Sequence, residues 1–366
     1  MLRSLPVLMY HYISRVHDSI AVHPDQFEDH CRGMAAEGWR GVSLAEAEAF
    51  LAEGTPLPDR SVLITFDDGF LDNYVHALPI LEKYGHCGTV FATAGKLETA
   101  AALRPTLADV WSGRIPAEGL PRVDAPFVKH RLGFDERHDL FLNWDEARHA
   151  ESTGTLAVAA HSMWHRSVFT SASYEGFYAP QRRGRTFDRV EGDVPWGLPR
   201  FKVGPALRER AFLPSAELLH AIHETVPQDK DGAYAFFSDT AATERLMHTV
   251  EAFGADGLGR FETDAERTER MYREMRGCKQ LLESELGHPV TTFCWPWGAF
   301  CDEALAIGRE LGFRVFLTTL MGSNPPSAPL AVNRFKAKAK PWSWLRLRLH
   351  VYSRPLIANL YAKMRL

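Results

Sequence analysis

Two acidic and two imidazole side chains combine the residue types and the spacing that metal-dependent hydrolysis uses. Asp67 and Asp68 directly precede Gly69, and His161 and His165 lie four positions apart in the string HSMWH. Adjacent carboxylates on a straight strand point to opposite faces, so we expect a turn at Gly69 to bring both to one site. The competing interpretation is that Asp-Asp-Gly is a plain turn sequence.

The histidine pair is the second part of this prediction. Histidines at this spacing share one face of a helical turn and can bind one metal ion, although they also cap helices and pack. Asp68 would complete the ligand set with His161 and His165. Two imidazoles and one carboxylate leave coordination positions open, which suits a catalytic divalent metal better than a structural one.

A third candidate region contains Trp295, Pro296 and Trp297, which precede Gly298. In the functional interpretation they form a wall on which a sugar stacks, and the backbone N–H of Trp297 points into the site. In the structural interpretation they are an apolar wall followed by a turn. All three regions end predicted strands, so a parallel barrel would bring them together.

Apolar runs rich in β-branched residues alternate with helical patterns along the chain. This alternation predicts an α/β fold with parallel strands and crossover helices, and with its chemistry at the carboxyl ends of the strands. Strands are predicted at 6–12, 61–66, 88–93, 155–160, 290–295, 314–319 and 330–335. Helices are predicted at 24–39, 73–84, 144–152, 263–286 and 301–311.

One long stretch, 166–262, breaks the alternation. We predict a barrel formed by 1–165 and 263–340, with 166–262 as an insertion that can contribute a substrate cleft. The large apolar residues of the insertion argue for an ordered structure. Its clustered arginines can clamp a phosphate or carboxylate, or form an ordinary solvated surface; they are Arg182, Arg183, Arg185 and Arg189.

The composition is that of an ordinary soluble protein. The chain has 366 residues, a formal net charge of −4 and five cysteines without a CxxC pair. Neither a disulfide framework nor a thiolate zinc site is therefore predicted. The amino-terminal apolar run is short and no run reaches about 18 apolar residues, so we expect no signal peptide and no membrane-spanning helix. The expected location is cytoplasmic, and no nucleic-acid partner is expected, since no binding motif accompanies the basic residues.

Positive charge is concentrated at the carboxyl terminus, and we treat 341–366 as a basic amphipathic tail. Between Asn333 and Leu366 there are nine Lys or Arg and no Asp or Glu. Basic residues alternate there with Trp, Leu and Ile, which suits an anionic membrane surface. The alternative is a helix that docks on the barrel and leaves a solvated basic face.

Several strings together resemble the polysaccharide deacetylase family with the NodB homology domain, carbohydrate esterase family 4. They are TFDDGF at 65–70, HSMWH at 161–165, LLESELGHPVTTFCWPWGAF at 281–300 and ELGF at 310–313. The resemblance implies a distorted (β/α)7 barrel, here with the long insertion after the fourth core strand. It also implies a divalent metal, often zinc. Asp67 would be the general base, Asp68, His161 and His165 the metal ligands, and the Trp297 N–H an oxyanion donor.

The proton donor to the leaving amine departs from the common family pattern. Many members use a His in a late L-x-L-H string, which His350 matches within the tail. The opening VLMYHYIS instead resembles the poly-N-acetylglucosamine deacetylase subgroup, in which the equivalent His ends the first strand, and we favour His11. The Arg that orients the base is missing from the third motif. Arg334 is the candidate replacement and a candidate substrate contact, together with Trp295, Pro296 and Trp297.

The expected function is removal of an N-acetyl group from an amino sugar in a surface polysaccharide or its lipid-linked precursor. The protein would work at the inner face of the membrane, to which the tail would bind peripherally. The first alternative is a deformylase that acts on a lipid-linked amino sugar. The second is a glycan-binding protein that keeps the barrel without turnover, against which the intact acidic and histidine pairs argue.

Overall fold

The structure is a computed structural model that describes residues 1–15, 18–99, 102–121, 127–130, 133–136, 140–180 and 190–364. The strands are β1 (Val7–Tyr10), β2 (Tyr12–Ile13), β3 (Ala21–Val22), β4 (Arg40–Gly41), β5 (Ser61–Asp68), β6 (Gly88–Ala92), β7 (Phe127–His130), β8 (Gly133–Glu136), β9 (Leu156–Ala160), β10 (Ser167–Phe177), β11 (Pro199–Pro205), β12 (Phe212–Pro214), β13 (Gly259–Phe261), β14 (Thr292–Cys294), β15 (Val315–Leu317) and β16 (Phe335–Lys336). The α-helices are α1 (Pro24–Ala36), α2 (Leu44–Glu48), α3 (Leu78–Tyr84), α4 (Leu107–Trp111), α5 (Trp144–Ser152), α6 (Ala216–Thr225), α7 (Lys230–Ser238), α8 (Thr240–Glu251), α9 (Gly254–Gly257), α10 (Asp264–Leu286), α11 (Asp302–Glu310), α12 (Trp342–Tyr352) and α13 (Pro355–Lys363).

Seven parallel strands form the central sheet, in the order β15, β14, β9, β6, β5, β1, β16, and β4 pairs with the start of β5. The short segment at β16 also joins the two ends of this sheet. Phe335 pairs with Leu8 of β1, while Val332 pairs with Leu317 of β15. The sheet therefore curls into a barrel, and the predicted distorted (β/α)7 fold is confirmed.

The strand β5 illustrates why these residues form a central barrel strand. All eight of its residues, SVLITFDD, are buried, which is typical of a parallel strand covered on both faces. Its side chains alternate between two apolar clusters. Leu63 packs in the cluster that also contains Val7 and Phe91, whereas Ile64 and Phe66 pack in the larger cluster with the surrounding helices. Asp67 continues the alternation of Leu63 and therefore points into the barrel.

The structure corrects several predicted boundaries. The strand β5 includes both aspartates instead of ending before them, and β16 lies later than the predicted 330–335. The helix predicted at 73–84 begins with a π-helical turn, Asn73–Ala77, before α3. The helical segment 44–53 and the two-residue strand β4 were not predicted.

The insertion 166–262 leaves the barrel after β9, the fourth core strand, and has an apolar cluster of its own. The hairpin of β10 and β11 packs with the insertion's helices through buried Phe169, Phe201 and Leu246. The aromatic residues Phe177, Tyr178 and Trp196 are partly buried against the same cluster. The predicted arginine cluster, which comprises Arg182, Arg183, Arg185 and Arg189, lies outside the described residues.

The basic tail is docked on the barrel through α12. Leu345, Leu349 and Tyr352 of α12 are buried in the main apolar cluster, and the helix contacts α1. The ring of Trp342 lies so close to Gly33 of α1 that a Cβ there would overlap it. The docked alternative is therefore correct for α12. Among the described residues, no helix is long and apolar enough to span a bilayer.

Candidate active site

Asp68, His161 and His165 converge at the carboxyl ends of β5 and β9. Oδ1 of Asp68 lies 3.5 Å from Nε2 of His161 and 3.6 Å from Nε2 of His165. All three side chains are buried. A tetrahedral ion with bonds of about 2.0–2.2 Å separates its ligand atoms by roughly 3.3–3.6 Å. Both distances therefore fit a divalent metal ion, and the ligand atoms of all three residues lie within 4.8 Å of one another.

The hydrogen bonding of His161 supports the same assignment. Its Nδ1 lies 2.8 Å from the carbonyl oxygen of Cys294 and must donate to it. In the neutral imidazole, the lone pair of Nε2 then faces Oδ1 of Asp68, an unfavourable contact between two acceptors unless a cation or a proton lies between them. Burial lowers the pKa of His161, but its hydrogen bond with Asp68 and the charge of Asp67 outweigh that and raise the pKa overall.

The local backbone at the site is strained. Six non-glycine residues of the described chain have positive φ, and four of them lie at this site: Asp68, Ser162, His165 and Trp297. Such conformations cost free energy and concentrate at functional sites. The positive φ of Asp68, with that of Gly69 after it, turns its carboxylate away from the normal strand alternation and toward the histidines. The predicted helical turn for His161 and His165 is wrong, because Ser162 and His165 adopt left-handed conformations.

A second set of potential ligands overlaps the first. Asp67, His161 and Cys294 also offer ligand atoms that lie within 4.8 Å of one another. Burial raises the pKa of the Cys294 thiol well above its usual value, which disfavours the thiolate that a metal requires. The set formed by Asp68, His161 and His165 is therefore the better metal site.

Asp67 is held by a buried arginine. Nη1 and Nη2 of Arg334 donate to Oδ1 and Oδ2 of Asp67 at 2.6 and 2.8 Å, and Nε of Arg334 donates to the Thr318 carbonyl at 2.8 Å. Burial raises the pKa of Asp67, but the charges of Arg334 and the nearby imidazoles outweigh it and hold the pKa well below its usual range. Arg334 is 1% exposed, so the prediction that it contacts substrate is wrong.

His11 lies on the other side of Asp67. Its Nε2 is 3.9 Å from Oδ2 of Asp67, and its carbonyl accepts a hydrogen bond from Asn73 at 2.9 Å. Burial lowers the pKa of His11 more than the charges of Asp67 and Asp68 raise it. His350 is elsewhere. It packs edge-on against Trp39 and lines a groove with residues that precede β1 and β5, at the opposite end of the barrel.

The tryptophan segment divides into a buried and an exposed part. Trp295 is fully buried and stacks between Phe300 and Phe316, so it cannot form a sugar-stacking wall. Pro296 is also buried. Trp297 is 38% exposed, and its ring centroid lies 4.1 Å from that of His165. The predicted substrate contact is thus wrong for Trp295 and Pro296, and Trp297 remains the candidate.

Three supporting residues were not identified from the sequence. Cys294 orients His161 through its carbonyl group, Thr65 accepts a hydrogen bond from Arg334 at 3.3 Å, and Asn73 holds the backbone of His11. Thr65 begins the TFDDGF string and Asn73 lies three positions after its end, and this proximity is the sequence signal for a role of both residues.

Comparison with known proteins agrees with this fold. The polysaccharide deacetylase family model matches residues 54–189, which include Asp67, Asp68, His161 and His165. YxkH of Bacillus subtilis, which is named for the same family, is 41% identical over 87 residues, which cover 24% of this chain and 31% of that protein. Poly-β-1,6-N-acetyl-D-glucosamine N-deacetylase of Escherichia coli K12 is 24% identical over 195 residues, which cover 53% of this chain and 24% of the relative.

The solved deacetylase domain of BpsB from Bordetella bronchiseptica has the same fold. It aligns with a TM-score of 0.56 at 19% identity and covers 91% of this chain and 96% of that structure. Residues 54–189 thus match the polysaccharide deacetylase family that the sequence motifs resemble. It matches about a quarter to a third of the length of the two sequence relatives.

Proposed function

We propose that this protein is a metal-dependent hydrolase that removes an N-acetyl group from an amino sugar of a polysaccharide. The observation that carries the proposal is the arrangement of Asp68, His161 and His165 as three metal-ligand atoms beside Asp67. Asp67 is kept ionised by Arg334 and is not needed as a ligand. An ionised base next to an open-sided metal site is the arrangement that amide hydrolysis requires.

Each residue near this site has a defined part in the proposed reaction. Asp68, His161 and His165 would hold the divalent ion, which when bound polarises the amide carbonyl and acidifies water. Asp67 would take the proton of the attacking water, since its low pKa keeps it unprotonated at neutral pH. Arg334 fixes the direction of this carboxylate with two hydrogen bonds.

The leaving amine needs a proton, for which His11 is the proposed donor. Its Nε2 lies 3.9 Å from Oδ2 of Asp67, so a protonated His11 imidazole would stand beside the reacting amide. Trp297 is proposed to offer its backbone N–H to the oxyanion and its exposed ring to the sugar. The proposed substrate is an N-acetylated amino-sugar polymer, as the name of the Escherichia coli relative indicates for that protein.

The test measures metal content and acyl release on the same preparation. Purified protein should contain about one divalent ion per chain and release acetate from N-acetylglucosamine oligomers. The double variant His161→Ala, His165→Ala should lose both. Formate release from an N-formyl amino sugar, without acetate release, would identify a deformylase. Glycan binding without release of either acid would identify a binding protein.

The cellular setting is part of the proposal. A cytoplasmic protein bound peripherally at the inner face of the membrane would act on surface polysaccharide during its synthesis, and zinc is the proposed metal. Subcellular fractionation of the producing cells, with and without a high-salt wash, tests this location. Recovery of the protein outside the cytoplasmic-membrane fraction, both with and without the wash, would contradict the proposed location.

A further inference from the structure

The last helix, α13, buries small residues and exposes large apolar ones, which is the reverse of what a helix that only covers a barrel would do. Its buried positions are Ala358 and Ala362, whereas Leu356 and Leu360 are 86% and 62% exposed, and Met364, directly after the helix, is 77% exposed. The exposed residues recur every fourth position and therefore lie on one face. A helix that stabilised the fold by apolar burial would turn its leucines inward and its alanines outward.

An open groove of 660 Å³ lies beside this apolar stripe. Three arginines line it, Arg3, Arg60 and Arg354, and Asp59 is the one acidic residue among the described lining residues. Arg60 donates to the Glu37 carbonyl. Within the described chain, Arg3 and Arg354 have no carboxylate partner. Leu356 and Ile357 form the apolar side of the groove, so positive charge and exposed apolar surface adjoin.

We infer that this face, comprising α13 and the arginine groove, docks on a bilayer that contains anionic phospholipids. Charge complementarity selects this occupant over a second copy of the chain, because three arginines line the groove against one acidic residue, Asp59, and α13 carries Lys363 and no acidic residue. Leucines would enter the interface of the bilayer while the arginines bind phosphate headgroups. This is the combination by which interfacial helices bind membranes.

The position of this face in the fold determines the orientation of the bound protein. Arg3 and Arg60 precede β1 and β5, so the face lies at the amino end of the barrel. Asp67 and Asp68 lie at the opposite end of β5, whose eight residues span roughly 23 Å. The mouth of the active site therefore points away from the bilayer.

This orientation, combined with the proposed function, indicates the class of substrate. A sugar linked directly to a lipid of the same bilayer lies at the wrong end of the barrel. A polysaccharide chain long enough to extend past the protein can reach the site. The orientation thus favours a polymer over a short lipid-linked saccharide, and it disfavours the lipid-linked deformylase substrate.

The first experiment is cosedimentation of the full chain with vesicles. Binding to vesicles of phosphatidylglycerol and phosphatidylcholine should exceed binding to pure phosphatidylcholine, and salt should weaken it. The double variant Leu356→Asp, Leu360→Asp should bind at least about tenfold more weakly. Val203→Asp, which replaces a 53% exposed apolar residue of β11, is the matched control and should bind like wild type.

The second experiment tests whether the arginines of the groove, and not basic residues in general, contribute to vesicle binding. Arg3→Ala and Arg354→Ala should each weaken binding about fivefold, whereas Lys202→Ala on β11 should not. Equal binding by all variants, or no preference for anionic vesicles, would overturn the inference. A dimer detected by light scattering would also overturn the inference if the double aspartate variant were monomeric, because the face would then be an interface between two copies of the chain.

The third experiment tests the orientation. Acetate release from a soluble N-acetylglucosamine oligomer should proceed at the same rate with the protein free or bound to anionic vesicles. Loss of turnover on binding would place the mouth at the bilayer and overturn the orientation. Absence of turnover in both states would contradict the proposed function but leave the vesicle-binding result intact.

Discussion

The buried pair of Asp67 and Arg334 makes the pH dependence of the site predictable. Arg334 is the main group that lowers the pKa of Asp67, while burial acts in the opposite direction. In Arg334→Met the pKa of Asp67 should therefore rise, and the acidic limb of the kcat/KM profile should move to higher pH. Profiles of both proteins measured with bound metal would check this shift.

The same pair also contributes to stability. A carboxyl group with a depressed pKa in the folded state stabilises the fold above its unfolded pKa of about 3.9, and this contribution is lost as pH falls. Removal of one partner of a buried ion pair costs roughly 3–5 kcal/mol, so Arg334→Met should also unfold at lower temperature near pH 7. An unchanged acidic limb and an unchanged Tm in this variant would exclude the assigned role of Arg334.

The two candidate proton donors lie at opposite ends of the barrel, so their variants should differ sharply. His11→Ala should keep its metal and lose about 100-fold or more in kcat, because a general acid contributes roughly 10²–10⁴-fold. His350→Ala should retain near wild-type turnover on a soluble oligomer. Single-turnover acetate release with metal analysis would check both. A normal rate in His11→Ala would refute the assignment.

At the scale of elements, the sequence predicts strands well and site turns poorly. The sequence predicts β5, β6 and β9 because apolar runs rich in β-branched residues and bounded by turns can be recognised from a short stretch of sequence. The turn that carries His161 and His165 was misjudged, because left-handed backbone at Ser162 and His165 has no local sequence marker. Tertiary packing imposes those conformations, as it does at Asp68 and Trp297.

The turn at Trp297 depends on the glycine that follows it. Gly298 has φ of +70°, and a Cβ there would lie 2.2 Å from Oγ1 of Thr319 and 2.4 Å from its backbone N. Gly298→Ala should therefore destabilise the protein by about 3 kcal/mol or more and displace Trp297, with a loss of turnover.

Gly287 provides the matched control for this substitution. It ends α10 with φ of +78°, and a Cβ there would meet nothing within 4 Å. Gly287→Ala carries similar backbone strain without the clash and should cost about 1 kcal/mol with normal turnover. Thermal unfolding and acetate release on both variants would decide. Equal effects would show that strain alone, and not the contact with Thr319, sets the requirement for glycine.

At the scale of the whole molecule, closure of the barrel brings together site residues that are far apart in the sequence. Asp67 and Arg334 are 267 positions apart, and they meet because Phe335 pairs with β1 while Val332 pairs with β15. The motifs identified the site and offered Arg334 both as the residue that orients the base and as a substrate contact, and the closed sheet places it on Asp67. The docking of α12 likewise depends on the shape of a surface formed by α1 and β16.

The two helices of the carboxyl-terminal tail are expected to have different roles, with α12 stabilising the fold and α13 binding the membrane. Burial of a leucine contributes roughly 1.5–3 kcal/mol, so Leu345 and Leu349, together with Tyr352, account for a large part of a total stability of about 5–15 kcal/mol. Truncation before Pro341 should therefore unfold the barrel or lower its Tm severely.

Truncation before Pro355 removes only α13, whose buried residues are two alanines. That shorter truncation should keep the Tm within a few degrees, keep turnover on a soluble oligomer and lose binding to anionic vesicles. Thermal unfolding, acetate release and cosedimentation on both truncations check this division. If the protein without α13 still binds the vesicles, the membrane contact lies on another surface, and α13 only completes the packing of α12.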